Sequence, residues 1–230
     1  MSIDFDGADD NITYGSAADI DDLAALTVSA WIFPVTDGDL SSGTIMAKAS
    51  GSINNGWKFD MAATNTLRFR QEFATTNLTR TGNNSAVTMS AWNHVALTWD
   101  GSATAANVHI YVNGVEITYA TTTDGVDARA SDAAQTLKIG GIGVATNFDG
   151  DMVDVRIYNR VLTLGEIATI RASYGADGIR GGLLGHWPTK ELNSGQTVVS
   201  SLDVSGNARN GTINNGPVYS DHTLRRRKVA

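Results

Sequence analysis

A chain of 230 residues with 42% hydrophobic content can bury a sizeable core, and no apolar run in it approaches the length that crosses a bilayer. It has no cysteine, which excludes a disulfide framework, a thiolate metal site and a cysteine nucleophile. The formal net charge of −7 disfavours nucleic acid as a partner.

The elements follow a period of two. Met1 leads directly into the alternation Ser2-Ile3-Asp4-Phe5, with no basic-then-apolar leader, so no signal peptide is visible. Val28-Ser29-Ala30-Trp31-Ile32-Phe33 predicts a strand closed by Pro34, which cannot donate to a ladder. In residues 92–99, Val95, Leu97 and Trp99 share one face, and His94, Ala96 and Thr98 the other. Val108 to Val112 and Val115 to Ile117 flank Asn113-Gly114, a strong hairpin signal. Strands at 137–140 and 152–158 follow, and the 24 glycines against 3 prolines suit many tight turns.

One stretch has the helical period. Thr163 and Glu166 form a capping box, Ile167, Ile170 and Tyr174 follow at helical spacing, and Gly175 is a natural stop. The expected fold class is all-β: an antiparallel two-sheet jelly-roll sandwich with one short helix at about 164–174.

The stretch 92–117, then LKIGG, then FDGDMVDVRIYNRVLTLGEIATI, resembles the laminin-G-like branch of the concanavalin A-like jelly rolls. IDFDGADDNI and LTVSAWIFP resemble that family's first central strands. The resemblance implies two curved antiparallel sheets. Residues 182–222, with LLGHWP and DVSGNARNGT, resemble the segment that ordinarily opens the family's domain, so the module reads as circularly permuted. A truncated second repeat and a strand exchange with a neighbouring subunit are the rival readings. Residues 1–222 are then a single sandwich and 223–230 a basic C-terminal tail.

The superfamily includes glycoside hydrolases, which need two carboxyls close together, about 5 Å apart in retaining enzymes. Glu72, Glu116, Glu166 and Glu191 offer no such pair, and the four histidines show no metal-ligand spacing, so no enzyme is expected. The aspartates cluster at 4–10 and again at 149–154. Hard oxygen ligands in a glycine-containing loop suit Ca²⁺, and the resemblance implies a calcium ion at a rim of the sandwich; Asp6, Asp149 and Asp151 are the candidate ligands. Ordinary turn chemistry is the competing explanation. Candidate sugar-stacking residues are Trp57, Tyr119 and Trp187, in or near loops, each with core packing as its alternative; Trp31, Trp92 and Trp99 read as structural.

Two functions follow. The first is a non-catalytic structural or attachment protein of a virus particle surface, a tailed-phage capsid decoration or fibre component. Its partners are other virion proteins or copies of itself in a homo-oligomer, with Arg225, Arg226, Arg227 and Lys228 docking on acidic surface. The alternative is a calcium-assisted carbohydrate-binding module, extracellular, reading a cell-surface glycan through rim loops such as 37–56, 74–88 and 120–134. Neither inserts in a membrane.

Overall fold

The computed structural model describes residues 2–51, 53–143, 146–188, 200–220 and 222. Along the chain these hold β1 (Ser2–Asp6), β2 (Asn11–Thr13), β3 (Leu26–Pro34), β4 (Thr44–Ser50), β5 (Asn54–Ala62), β6 (Thr66–Gln71), β7 (Leu78–Gly82) and β8 (Asn93–Trp99). There follow β9 (Val108–Val112), β10 (Val115–Glu116), β11 (Tyr119–Thr123), β12 (Leu137–Ile139), β13 (Asp149–Tyr158), the helix α1 (Leu164–Ser173), β14 (Leu183–Trp187), β15 (Thr212–Asn214) and β16 (Val218–Ser220).

They form two eight-stranded sheets. The first runs β10-β9-β8-β3-β13-β1-β16, with β14 also on β13; the second runs β11-β7-β6-β5-β4-β12-β2-β15. Every named pairing is antiparallel, as expected of strands with alternating faces. Inward residues of the first sheet, such as Phe5, Ile32 and Leu97, meet Phe59, Met61 and Phe69 of the second in one apolar core. The all-β sandwich is therefore present as the alternation required. Among the described residues no helix is long and apolar enough to cross a membrane.

The helix explains why part of the first sheet is buried on both faces. Ile167 and Ile170 pack on Ala96, Tyr111 and Tyr158, which point away from the main core. Its start is the capping box: Thr163 accepts from the Glu166 backbone, and the Glu166 carboxylate accepts from Thr163 N. Hydrogen bonds from Arg160, then from Thr163, hold the Glu166 carboxyl down at about 2. The helix ends one residue earlier than its spacing suggests. Tyr174 takes a left-handed conformation as the C-cap (φ 50°), and its ring stacks on Trp31 at 5.2 Å.

The strands β14, β15 and β16 complete the sheets of their own chain. β14 pairs with β13, β15 with β2 and β16 with β1, so no exchange with a second subunit is needed to close the sandwich. Trp187 is fully buried, 4.0 Å from the Tyr14 ring, and donates from Nε1 to the Arg209 carbonyl. Replacing Trp187 with Ala should lower the unfolding free energy by about 3–5 kcal/mol. A denaturation curve shifted as a single transition checks this; an unshifted midpoint would show that the segment is an appendage to an independently stable body.

Candidate functional site

β1 and β13 bring the two aspartate clusters together. Asp4 opposes Asp151 and Asp6 opposes Asp149, while Ile3 and Phe5 between them face the core, so all four acids lie on the outer face of the first sheet. Gly7 continues β1 into a turn with φ 74°, and a Cβ there would stand 2.8 Å from Cβ of Asp149. The turn then folds back: Asp10 accepts from the Asp6 backbone, and Asp6 accepts from Ala8 N at 2.8 Å.

Carboxylate oxygens of Asp6, Asp9 and Asp10 lie within 4.8 Å of one another. Burial, with the charges of Asp6 and Asp9, pushes the Asp10 carboxyl up to about 6 despite its hydrogen bond from Asp6. Asp4 is likewise pushed up to about 6, by burial first and then by Asp151 and Asp149. Behind the turn, Asn147 is fully buried and donates to the Ala8 carbonyl, but its Oδ1 has no hydrogen-bond partner. That oxygen and the Asp10 carbonyl both border Gly141.

Beside the acids is an aromatic ledge. Phe33 sits opposite Asp151 on β3, points outward, and meets the Trp92 ring edge-on at 5.7 Å. The His222 ring stacks on Phe33 at 4.3 Å and bonds to Asp151 at 2.6 Å. Phe33 and Trp92 are half-buried and belong to neither apolar core. Trp92 keeps some surface, while the Phe33 ring face is taken up by His222.

The structure redistributes the expected site residues. Trp57 and Trp187 are inside the main core, where neither presents a ring face to a sugar, because Trp57 alternates with outward Lys58 and Trp187 is covered by Tyr14. Tyr119 is half-buried, its ring lies under the Arg80 guanidinium at 3.5 Å, and its hydroxyl is bound to Ile110 N and Glu116. Of the three metal candidates, Asp6 joins Asp9 and Asp10, Asp149 adjoins that turn at Gly7, and Asp151 is engaged by Ser2 and His222 at 2.6 Å each. Arg225, Arg226, Arg227 and Lys228 lie outside the described residues, as does Glu191. Phe33 and Trp92 were missed by sequence reasoning. Their one signal was position: both sit at strand ends, Phe33 before Pro34 and Trp92 just before β8, where a ring can leave the core.

A family model described as the concanavalin A-like lectin/glucanases superfamily, Laminin_G_3, matches residues 6–168. The chain belongs to this family. Its jelly-roll sandwich is shared with a putative carbohydrate binding protein from Bacteroides ovatus, at TM-score 0.64 and 19% identity over 96% of this chain and 60% of that one. A heptameric SAP-like pentraxin from Limulus polyphemus aligns at TM-score 0.52 and 18% identity, over 92% and 93% of the two chains. The binding domain of botulinum neurotoxin serotype G aligns at TM-score 0.52 and 16% identity, over 71% and 41%. No curated protein matches this chain. Within the Laminin_G_3 domain, the family match takes in Asp6–Asp10, the Phe33–Trp92 ledge and Asp149–Asp151, and ends before β14.

The raised carboxyls give a pH test. Asp4 is neutral in folded and unfolded chains at low pH; as pH rises through about 6 its charge forms against Asp151 and Asp149, and the stability it contributed is lost. Asp4→Asn should therefore raise the melting temperature at about pH 8, and the gain should disappear by about pH 4. A variant destabilised equally at both pH values would mean that Asp4 serves as a structural acceptor.

Proposed function

We propose that this is a carbohydrate-binding domain whose sugar packs against Trp92 at the Phe33–Trp92 ledge, beside a divalent cation held at the Asp6–Asp9–Asp10 turn. The observation that carries this reading is the pairing of two half-buried aromatics, outside both cores, with the Asp4 carboxylate and the acidic turn that follows it. A pyranose has an apolar C–H face and equatorial hydroxyls, so it needs a ring to lie on and acceptors at the ring's edge. Its shared fold with a protein described as carbohydrate-binding supports the same reading.

The residues fit a hard cation. Three carboxylates converge, and the Asn147 Oδ1 and Asp10 carbonyl lie in the wall behind them, an all-oxygen set of the kind Ca²⁺ selects. A bound calcium would neutralise the turn and supply coordination to vicinal sugar hydroxyls. Asp6, Asp9 and Asp10 would hold it, with Asp149 adjoining. The protein's own part is to hold the turn through the Gly7 conformation and the Asp6–Asp10 hydrogen bond.

The reading is one of binding without catalysis. Asp151, the carboxylate facing Asp4 across the strands, is tied to Ser2 and His222, which leaves it poorly placed as a nucleophile. Glu116 is bound by His109 and Tyr119, and Glu166 by the capping box. Such a domain would act where glycans are displayed, outside the cell or on a particle that adheres to one. The particle-surface role rests on the tail at 225–228 and on self-association, so the sugar reading now leads.

Calcium at about 10 mM should stabilise the fold by about 1.4–2.7 kcal/mol if its affinity is that of extracellular modules, and EDTA should remove the gain. Asp10→Asn should abolish it. On a glycan array, Phe33→Ala and Trp92→Ala should lose binding with little change in melting temperature. Binding that survives both substitutions would overturn the ledge; binding that survives EDTA would separate the sugar from the cation.

A further inference from the structure

The outer face of the second sheet carries a different chemistry, on residues separate from the rim. Phe59 of β5 and Phe69 of β6 oppose one another and face the core, so their neighbours Lys58, Asp60, Arg68 and Arg70 lie on the other side of the sheet, where Lys58 and Asp60 are fully buried and Arg68 and Arg70 partly exposed. Lys58 opposes Arg70, and Asp60 opposes Arg68. The row through Arg70 and Lys58 continues across Ala47 to Lys138 on β12, and it ends at either side in threonines, with Thr79 next to Arg70 and Thr13 next to Lys138.

Charge does not balance on this face. Asp60 is fully buried and is the one carboxylate in ion-pair contact with Lys58, Arg68 and Arg70 among the described residues. It is well served: Arg68 donates Nε at 3.2 Å and Nη2 at 2.7 Å, and the Ser42 hydroxyl donates at 3.0 Å. Lys58 spends a proton on Ser42 at 2.7 Å. Arg70 is left with a single long contact to Asp60 at 3.4 Å, and its Nε is buried without a hydrogen-bond partner. A buried guanidinium N–H without an acceptor is costly, and a guanidinium fork is shaped for a planar oxyanion. Burial pulls the Arg70 pKa down, Arg68 adds to that, and the long contact to Asp60 opposes it without cancelling it.

We propose that this face is a second binding site, which takes a carboxylate or sulfate group carried on an acidic saccharide, with Arg70 as the principal contact and Arg68 and Lys138 as its flanking cations. The ligand chemistry follows from the face itself. Surplus cations in the middle call for an anion, and neutral threonine hydroxyls on both sides suit the uncharged hydroxyls of a sugar chain. Three or four cations on a body of net charge −7 do not make the extended positive track that a polyphosphate requires. The site stands on residues that the rim does not use, so it holds or fails separately from the calcium-assisted reading.

The test is calorimetric titration of the full chain with a trigalacturonate, a sulfated disaccharide, a carboxyl-reduced neutral trisaccharide and a single-stranded oligonucleotide. The expected result is binding of the uronate or the sulfated sugar, weakened by salt, with the neutral sugar at least about tenfold weaker. Which of the two anionic sugars binds identifies the oxyanion. Arg70→Gln should lose about tenfold in affinity at unchanged melting temperature, Lys138→Gln should lose less, and Trp92→Ala should lose nothing. Neutral and acidic sugars binding alike, no binding by either acidic sugar, tighter binding of the oligonucleotide, or an Arg70→Gln variant that is folded and unimpaired would each overturn the proposal. Should Arg70→Gln fail to fold, Lys138→Gln and the salt dependence carry the same test.

Discussion

Strand β13 has two edges and three partners: β3 runs along one edge, while β1 and β14 share the other end to end. Between the β1 and β14 pairings the ladder with β3 skips from Val153 to Arg156, and Asp154 adopts φ 55° at the break. A bulge with a left-handed non-glycine residue costs energy and persists only where its surroundings enforce it. Here they do. Buried Arg156 binds Asp154 through Nε at 2.9 Å and Asp177 through Nη2 at 2.7 Å, and His186 of β14 reaches the same Asp154 at 2.6 Å. Burial works to raise the Asp177 carboxyl, but the bonds from Arg156 and Ser173 hold it well below the usual range. This ionic knot is expensive to desolvate, and breaking one partner would leave a buried charge, so it serves geometry more than net stability.

The knot has consequences at a distance. Because β14 takes up one half of the β13 edge, β1 meets only the other half, residues 149–152, and that pairing sets the Asp4–Asp10 turn against Asp149 and Asp151. The helix α1 covers the outer face of the first sheet toward the β14 end, over Tyr158 and Ala96. The opposite end of that face is left with half-buried Phe33 and Trp92. One sheet therefore has a covered end and an open one, and the acids and aromatics meet at the open end. On the second sheet the side away from the core is polar, with charges from alternate positions on β5, β6 and β12.

Much of the fold was legible in the residues. Alternation located the principal strands, Asn113-Gly114 located a hairpin whose two turn residues have φ of 53° and 82°, and Thr163 with Glu166 located the helix start to the residue. These are local effects, decided within a few residues by backbone sterics and neighbouring side chains. The site was legible only in part. Both aspartate clusters stood out, but whether Asp6 would face Asp149 or Asp10 depends on strand register and turn path. Trp57 and Trp187, near loops, could either stack on a sugar or pack in the core, and the fold puts both in the core; Trp92, which read as structural, is half-buried outside it.

The sequence by itself determined that this chain is an antiparallel sandwich with one short helix, and the resemblance in its strand motifs points to the family that the full match establishes. It also determined where acids and aromatics are concentrated, since composition is local. Only the tertiary structure decided which of those groups meet. A one-residue change of register turns a side chain from the core to the solvent face, and cross-strand neighbours such as Phe33 and Asp151, or Lys58 and Arg70, are far apart or unremarkable along the chain. Exposure of a ring and surplus of charge are properties of a surface, and surfaces exist only once the sheets have paired.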